Sequence, residues 1–181
     1  SKTEGRVHMG FKLELRKLWP DISAILKNKK QRIWICGHSL GGAMATLCAS
    51  RLEELEPTLY TYGSPRVGGS EWRDGCDVEH YRFVNNNDIV PAVPLWLMGY
   101  RHHGNVRYID YYGRIKRLTF GQKVKDQLLG RWKAITKFQL FDGIYDHDIA
   151  GGYADKLQAL WFEGREKIRK RANVGHDRKN V

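Results

Sequence analysis

Apolar positions along the chain fall into segments whose period changes from helical to strand-like and back. Phe11, Leu15, Leu18, Ile22 and Ile25 recur at helical spacing, which predicts an amphipathic helix over residues 9–28, kinked or split at Pro20. After a short polar connection, Ile33-Trp34-Ile35-Cys36 forms an unbroken apolar run, the pattern of a strand buried on both faces. Ala, Met, Leu and Cys then return at helical spacing over residues 41–55. Residues 58–62 are rich in Thr and Tyr and end at Gly63-Ser64-Pro65, which reads as a strand followed by a turn. Residues 80–84 form another β-like run, closed by Asn85-Asn86-Asn87-Asp88, and residues 106–112 suit a fourth strand. Residues 118–138 read as a helix with a basic face, and Ile149, Tyr153, Leu157, Leu160 and Trp161 mark a last amphipathic helix. Strands alternating with helices predict an α/β fold, a mostly parallel sheet covered by helices on both faces. In such a sheet the chemistry belongs just after the strands, at their carboxyl ends.

With 181 residues, the chain suffices for one domain with a sizeable core. The expected division is an α/β domain over residues 1–164 and a basic tail over 165–181. No apolar run approaches a membrane span, and the polar start carries no signal-peptide pattern. Cys36, Cys48 and Cys76 have no metal-ligand spacing and are expected to be reduced core residues, which favours a cytoplasmic compartment without closing off secretion. The net charge of +11 is concentrated in residues 114–137 and 165–179. A basic surface suits anionic lipid or nucleic acid, but a solvated helix face with a frayed tail is the simpler reading. Zinc-finger spacing, aromatic RNA-binding runs and phosphate-binding glycine loops are all missing, so no nucleic-acid partner is expected.

Gly37-His38-Ser39-Leu40-Gly41 has the form G-x-S-x-G. By composition alone such a match turns up about 0.06 times in a chain of this length. Here it follows an apolar strand directly and opens a helix directly, as a nucleophile elbow requires. The sharp turn holds Ser39 in a strained conformation, small Gly37 and Gly41 let strand and helix approach, and His38 completes the turn. Partial positive charge at the helix start favours an oxyanion, with the Leu40 backbone N–H as one donor.

Four segments occur in a set order: Val7-His8-x-Gly10-Phe11, Gly37-His38-Ser39-Leu40-Gly41-Gly42-Ala43, Tyr62-Gly63-Ser64-Pro65-Arg66-Val67-Gly68 and Asn87-Asp88-Ile89-Val90-Pro91. Together they resemble the class 3 lipases, the fungal triacylglycerol-lipase type of the α/β-hydrolase superfamily. The resemblance implies an α/β-hydrolase fold and a Ser-Asp-His triad that hydrolyses lipid esters without metal or organic cofactor. It also implies an amino-terminal truncation, because lipases of this type carry strands and a loop with a second oxyanion donor ahead of the Val7 segment. Thr3 and Ser1 are the only hydroxyls there, and neither is assigned that role.

In this fold the triad follows the order Ser, acid, His. Asp88 stands directly after a β-like run, where a strand-end carboxylate belongs, and the resemblance selects it too; an ordinary Asn-Asp turn is the plain alternative. Asp74 and Asp77 precede that strand. Of seven histidines, His8, His38 and His80 break the order and His176 lies in the tail, leaving His102, His103 and His147. His147, in Asp146-His147-Asp148 ahead of the last helix, is the assigned base, with Tyr153 as the aromatic that follows it in the resembling family. The substrate is expected to be a lipid ester. Residues 91–100 are mostly apolar and suit an acyl pocket, a lipid surface or a simple cover for the sheet. The basic helix over 118–138 suits a lid or an inserted structural element. Rival readings are a phospholipase or short-chain esterase of the same fold, and a catalytically impaired hydrolase fold that binds lipid or protein.

Overall fold

The computed structural model of the chain describes residues 5–26, 31–110, 112–116 and 147–177. Helix α1 (Met9–Leu26) leads into strand β1 (Trp34–His38), α2 (Ser39–Arg51), β2 (Thr58–Tyr62), α3 (Ser70–Gly75) and β3 (Glu79–Asn85). A connection with two 3-10 turns, Val90–Ala92 and Trp96–Met98, reaches β4 (Asn105–Ile109) and the short β5 (Ile115–Lys116). A π-helix (Ile149–Ala154) then opens α4 (Asp155–Asp177). The basic helix expected over 118–138, with its lid role, lies outside the described residues, as do Ser1 and Thr3.

The five strands lie in sequence order, β1-β2-β3-β4-β5. The first four are parallel and β5 is antiparallel to β4. The register places Ile35, Leu59 and His80 side by side on one face and Cys36, Tyr60 and Tyr81 on the other. On the first face Leu15 of α1, Ala43, Leu47 and Ala49 of α2 and Trp72 of α3 close over Leu59, Val67 and Val78 to form the core. On the second face Tyr153 of the π-helix lies edge-on to Tyr62, at 6.2 Å between ring centres. This is the mostly parallel α/β sheet that the alternating pattern predicts, with helical segments on both faces.

Three expectations are corrected. Pro20 does not split α1, which continues through it to Leu26. The run from Ile33 to Cys36 is not buried on both faces: Trp34 is 71% exposed and Cys36 is exposed, whereas Ile35 packs against the core. The reason is local, since β1 pairs only with β2 among the described strands, and Trp34 lies open to solvent with the Arg32 guanidinium 5.9 Å above its ring. Cys36 is therefore not a core residue, while Cys48 and Cys76 are buried as expected. Burial pushes the Cys76 thiol up to about 11 and raises that of Cys48, so both stay neutral and unreactive. Residues 165–177, the start of the expected basic tail, continue α4.

Candidate active site

β1 runs into α2 without an intervening loop, because Ser39 takes a left-handed backbone conformation with φ of 54°. For a residue with a side chain that conformation is strained, and the packing around it must hold it. Gly37 makes the bend possible: a Cβ there would run into the Gly41 carbonyl. The turn lifts the Ser39 side chain to the carboxyl end of the sheet and sets the Leu40 N–H in the first turn of α2. Gly41 has open space where its side chain would be.

β3 ends at Asn85, and the next three residues carry the chain to Asp88. The Asn-Asn-Asn run is more than a solvated turn. Asn85 and Asn86 are fully buried, and Asn85 donates to the Gly152 carbonyl at 3.1 Å and accepts from Lys156 Nζ at 2.8 Å. Tyr108 Oη donates to Asn86 Oδ1 at 3.1 Å. These bonds tie the end of β3 to the π-helix and to β4, and so fix the point from which Asp88 projects. The Asp88 side chain is wholly inaccessible to solvent. Its carboxylate accepts from Val90 N–H at 2.9 Å and from Tyr153 Oη–H at 2.5 Å. Tyr153 Oη in turn accepts the Asn85 backbone N–H at 3.0 Å.

His147 sits between the two. Its Nδ1 lies 3.0 and 3.1 Å from the Asp88 carboxylate oxygens and its Nε2 lies 2.8 Å from Ser39 Oγ. A carboxylate can only accept, so Nδ1 carries the proton and Nε2 is left to accept the serine hydroxyl. His147 immediately precedes Asp148, whose side chain caps the π-helix by accepting from Ala150 and Gly151 N–H.

His38 holds His147 from the other side. Its Nε2–H donates to the His147 backbone carbonyl at 2.6 Å, and the two rings lie 4.7 Å apart, tilted by 32°. Gly63, at the end of β2, closes the floor: with φ of +57° it brings bare backbone so near that a Cβ would lie 2.6 Å from Asp88 Oδ2 and 3.0 Å from His147 Nδ1.

The structure thus brings Ser39, Asp88 and His147 together, with Gly37, His38, Leu40 and Gly41 at the bend. The other two candidate histidines are engaged elsewhere. His102 Nε2–H donates to the Pro91 carbonyl at 2.7 Å. His103 Nε2–H donates to the Cys76 carbonyl at 2.9 Å, which leaves its Nδ1 to accept from His80 Nδ1–H at 3.2 Å. Burial holds all three of these rings neutral, His80 down to about 3.

Sequence reasoning did not find the carbonyl bond from His38, the hydroxyl bond from Tyr153 or the close approach of Gly63. Helical spacing marks Tyr153 as an apolar position and the resemblance marks it as the aromatic after His147, while Gly63-Ser64-Pro65 reads as a turn within a family-like segment; neither signal states the contact made. Among the described residues no group of three or more His, Cys, Asp or Glu is arranged to hold a metal ion.

The sheet, the bend and the order of the strands define the α/β-hydrolase fold, and solved structures of lipases share it. A Rhizomucor miehei lipase–propeptide complex superposes with a TM-score of 0.56 at 32% identity, covering 62% of this chain and 41% of that one. A lipase from Rhizopus microsporus var. chinensis gives 0.54 at 31%, covering 57% and 41%. The chain belongs to the class 3 lipase family, which it matches over residues 1–98. It is 34% identical over 118 residues to a secreted mono- and diacylglycerol lipase of Fusarium solani, covering 58% of this chain and 34% of that protein. It is also 42% identical over 76 residues to the toxin TseL of Vibrio cholerae, covering 39% and 12%. The chain therefore spans about a third or less of these curated relatives.

Proposed function

We propose that the chain is a serine ester hydrolase that cleaves carboxylic esters of lipids through an acyl-enzyme, with Ser39 as nucleophile, His147 as base and Asp88 as acid. The observation that carries this reading is the chain of contacts from Ser39 Oγ through both nitrogens of His147 to the buried Asp88 carboxylate. His147 Nε2 takes the hydroxyl proton as Oγ attacks the ester carbonyl, then delivers it to the leaving alcohol. Asp88 holds the ring in the required tautomer and stabilises the imidazolium. Tyr153 and Val90 N–H hold the carboxylate in place. The oxyanion forms at the start of α2, where the Leu40 N–H is one donor and the helix dipole favours negative charge. Water repeats the cycle and releases the acid. The lipid class of the ester is taken from the relatives, whose names are those of lipases acting on mono- and diacylglycerols.

A fluorophosphonate probe tests the nucleophile. The wild-type chain is expected to label, and Ser39→Ala to lose labelling and about four to six orders of magnitude of ester turnover. A folded wild-type chain that neither labels nor turns over any ester sinks the proposal. A chain-length series of esters, run beside phospholipids, separates lipase from short-chain esterase and phospholipase.

A further inference from the structure

Tyr153 is gripped at both ends by one residue. Asn85 donates its backbone N–H to the Tyr153 hydroxyl at 3.0 Å. Its side-chain amide donates to the carbonyl of Gly152, the residue just before Tyr153, at 3.1 Å. Asn85 is fully buried and is the last residue of β3, shortly before Asp88 in the chain. The tyrosine that donates to Asp88 Oδ2 is therefore referred, backbone and hydroxyl alike, to the strand end that carries the acid.

That arrangement requires one orientation of the Asn85 amide. Its Oδ1 accepts from Lys156 Nζ at 2.8 Å and from the Asn86 backbone N–H at 3.0 Å. Turned over, the amide nitrogen would face both donors and the oxygen would face the Gly152 carbonyl, so each bond would become a meeting of like partners. Of the two donors on Oδ1 the ammonium carries the charge, and a charge-assisted bond is roughly twice as strong as a neutral one. Lys156 lies in the first turn of α4, and its stem passes Gly113, where a Cβ would stand 3.9 Å from Lys156 Cγ. The bond from Lys156 closes a ring: along the helix from Tyr153, across to Asn85, and back to the tyrosine hydroxyl.

We propose that Lys156 is a positioning residue of the triad: its ammonium locks the Asn85 amide, and the locked amide keeps the Tyr153 hydroxyl on the Asp88 carboxylate. Its effect runs through Asn85 and Tyr153 to the carboxylate that orients His147 Nδ1–H. The inference rests on the hydrolase reading for its kinetic readout, whereas its spectroscopic readout is separate from turnover.

The test compares Lys156→Met and Lys156→Arg with the wild-type chain, and Lys17→Met, at an exposed position on α1, controls for the lost charge. On a soluble ester, Lys156→Met is expected to lose about tenfold in kcat with KM within about twofold. Lys156→Arg keeps a charged donor and is expected to stay within about threefold of wild type, and Lys17→Met to match it. The His147 Nδ1–H proton, bonded to Asp88, gives a far-downfield signal in proton NMR. That signal is expected to move or broaden in Lys156→Met and to persist in Lys156→Arg. An unchanged signal in Lys156→Met, a kcat within about twofold of wild type, or equal losses in the Met and Arg variants overturns the proposal. Where Lys156→Met does not fold, Lys156→Gln, polar but uncharged, takes its place under the same limits. A wild-type chain that neither hydrolyses ester nor takes a fluorophosphonate sinks the hydrolase reading. The proton signal then decides the role of Lys156 alone, which fails if wild type and Lys156→Met give the same one.

Discussion

Gly63→Ala is the most telling single substitution, because it adds one methyl group and touches both partners of the serine. The new Cβ would start 2.6 Å from Asp88 Oδ2 and 3.0 Å from His147 Nδ1. Ordinary contact is about 3.5 Å or more, so the carboxylate must retreat by roughly 1 Å. That movement stretches the 3.0 Å link between His147 and Asp88 and releases the tautomer it enforces. A displacement of about 1 Å in a catalytic constellation costs on the order of a hundredfold in rate. Position 63 also has φ of +57°, where a Cβ adds a further cost of about 1–2 kcal/mol. The expected variant is folded, melts several degrees lower and loses about a hundredfold in kcat, with KM for a soluble ester changed far less. Steady-state kinetics beside a thermal melt separate the two effects. A variant that keeps kcat within threefold of wild type would show that the contacts around Asp88 and His147 do not govern turnover, and the geometric argument would fail.

Other substitutions probe the same frame from outside. Tyr153→Phe removes a hydroxyl that donates to the buried carboxylate and accepts from Asn85 N–H; a stability loss of about 2 kcal/mol in urea is expected, and a loss below 0.5 would contradict it. His38→Ala frees the His147 carbonyl and is expected to lower kcat about tenfold, with partial recovery in His38→Gln, which can still donate; no recovery would mean that the contact between the tilted rings matters more than the bond. Acid should destabilise the chain through His80, His102 and His103. Their folded-state values lie below the ordinary 6.5, so the unfolded chain takes up protons that the folded chain refuses, and stability falls as pH drops below about 6.5, the His80 contribution being lost down to about 3, by up to about 1.4 kcal/mol per unit for each excluded proton. Melting temperatures across that range should decline less steeply in His80→Gln, and parallel declines would refute the assignment.

Much of this site was legible before any coordinates, because its logic is local. The elbow needs a strand, two glycines and a helix in immediate succession, and Gly37-His38-Ser39-Leu40-Gly41 displays all of them within a few residues. β2 was found at its observed limits, since Thr and Tyr cluster there and Gly63 closes it. α3 escaped notice because six residues are too few to show a helical period, and β5, with two residues, shows none. The openness of Trp34 and Cys36 was invisible for a different reason: an apolar run states what a strand could bury and says nothing of what arrives to cover it. The strand-end position of Asp88 could be read, but the shell that holds it could not. Tyr153 lies 65 residues away in the chain, on a π-helix whose irregular turn leaves no mark in the spacing. The chain of protons from Thr61 through His80 to His103 is likewise a product of folding, joining residues from β2, β3 and the connection before β4.

The bond from His38 to the His147 carbonyl has a mechanical consequence. His38 and Ser39 are consecutive, so the His147 backbone is tethered to the very bend that presents the hydroxyl. When the sheet breathes, Ser39 and His147 ride the same displacement, and their separation is insulated from distortions that would pull independently mounted groups away from each other. Register between them is kept by a linkage one residue long, over a span of more than a hundred residues of intervening polypeptide.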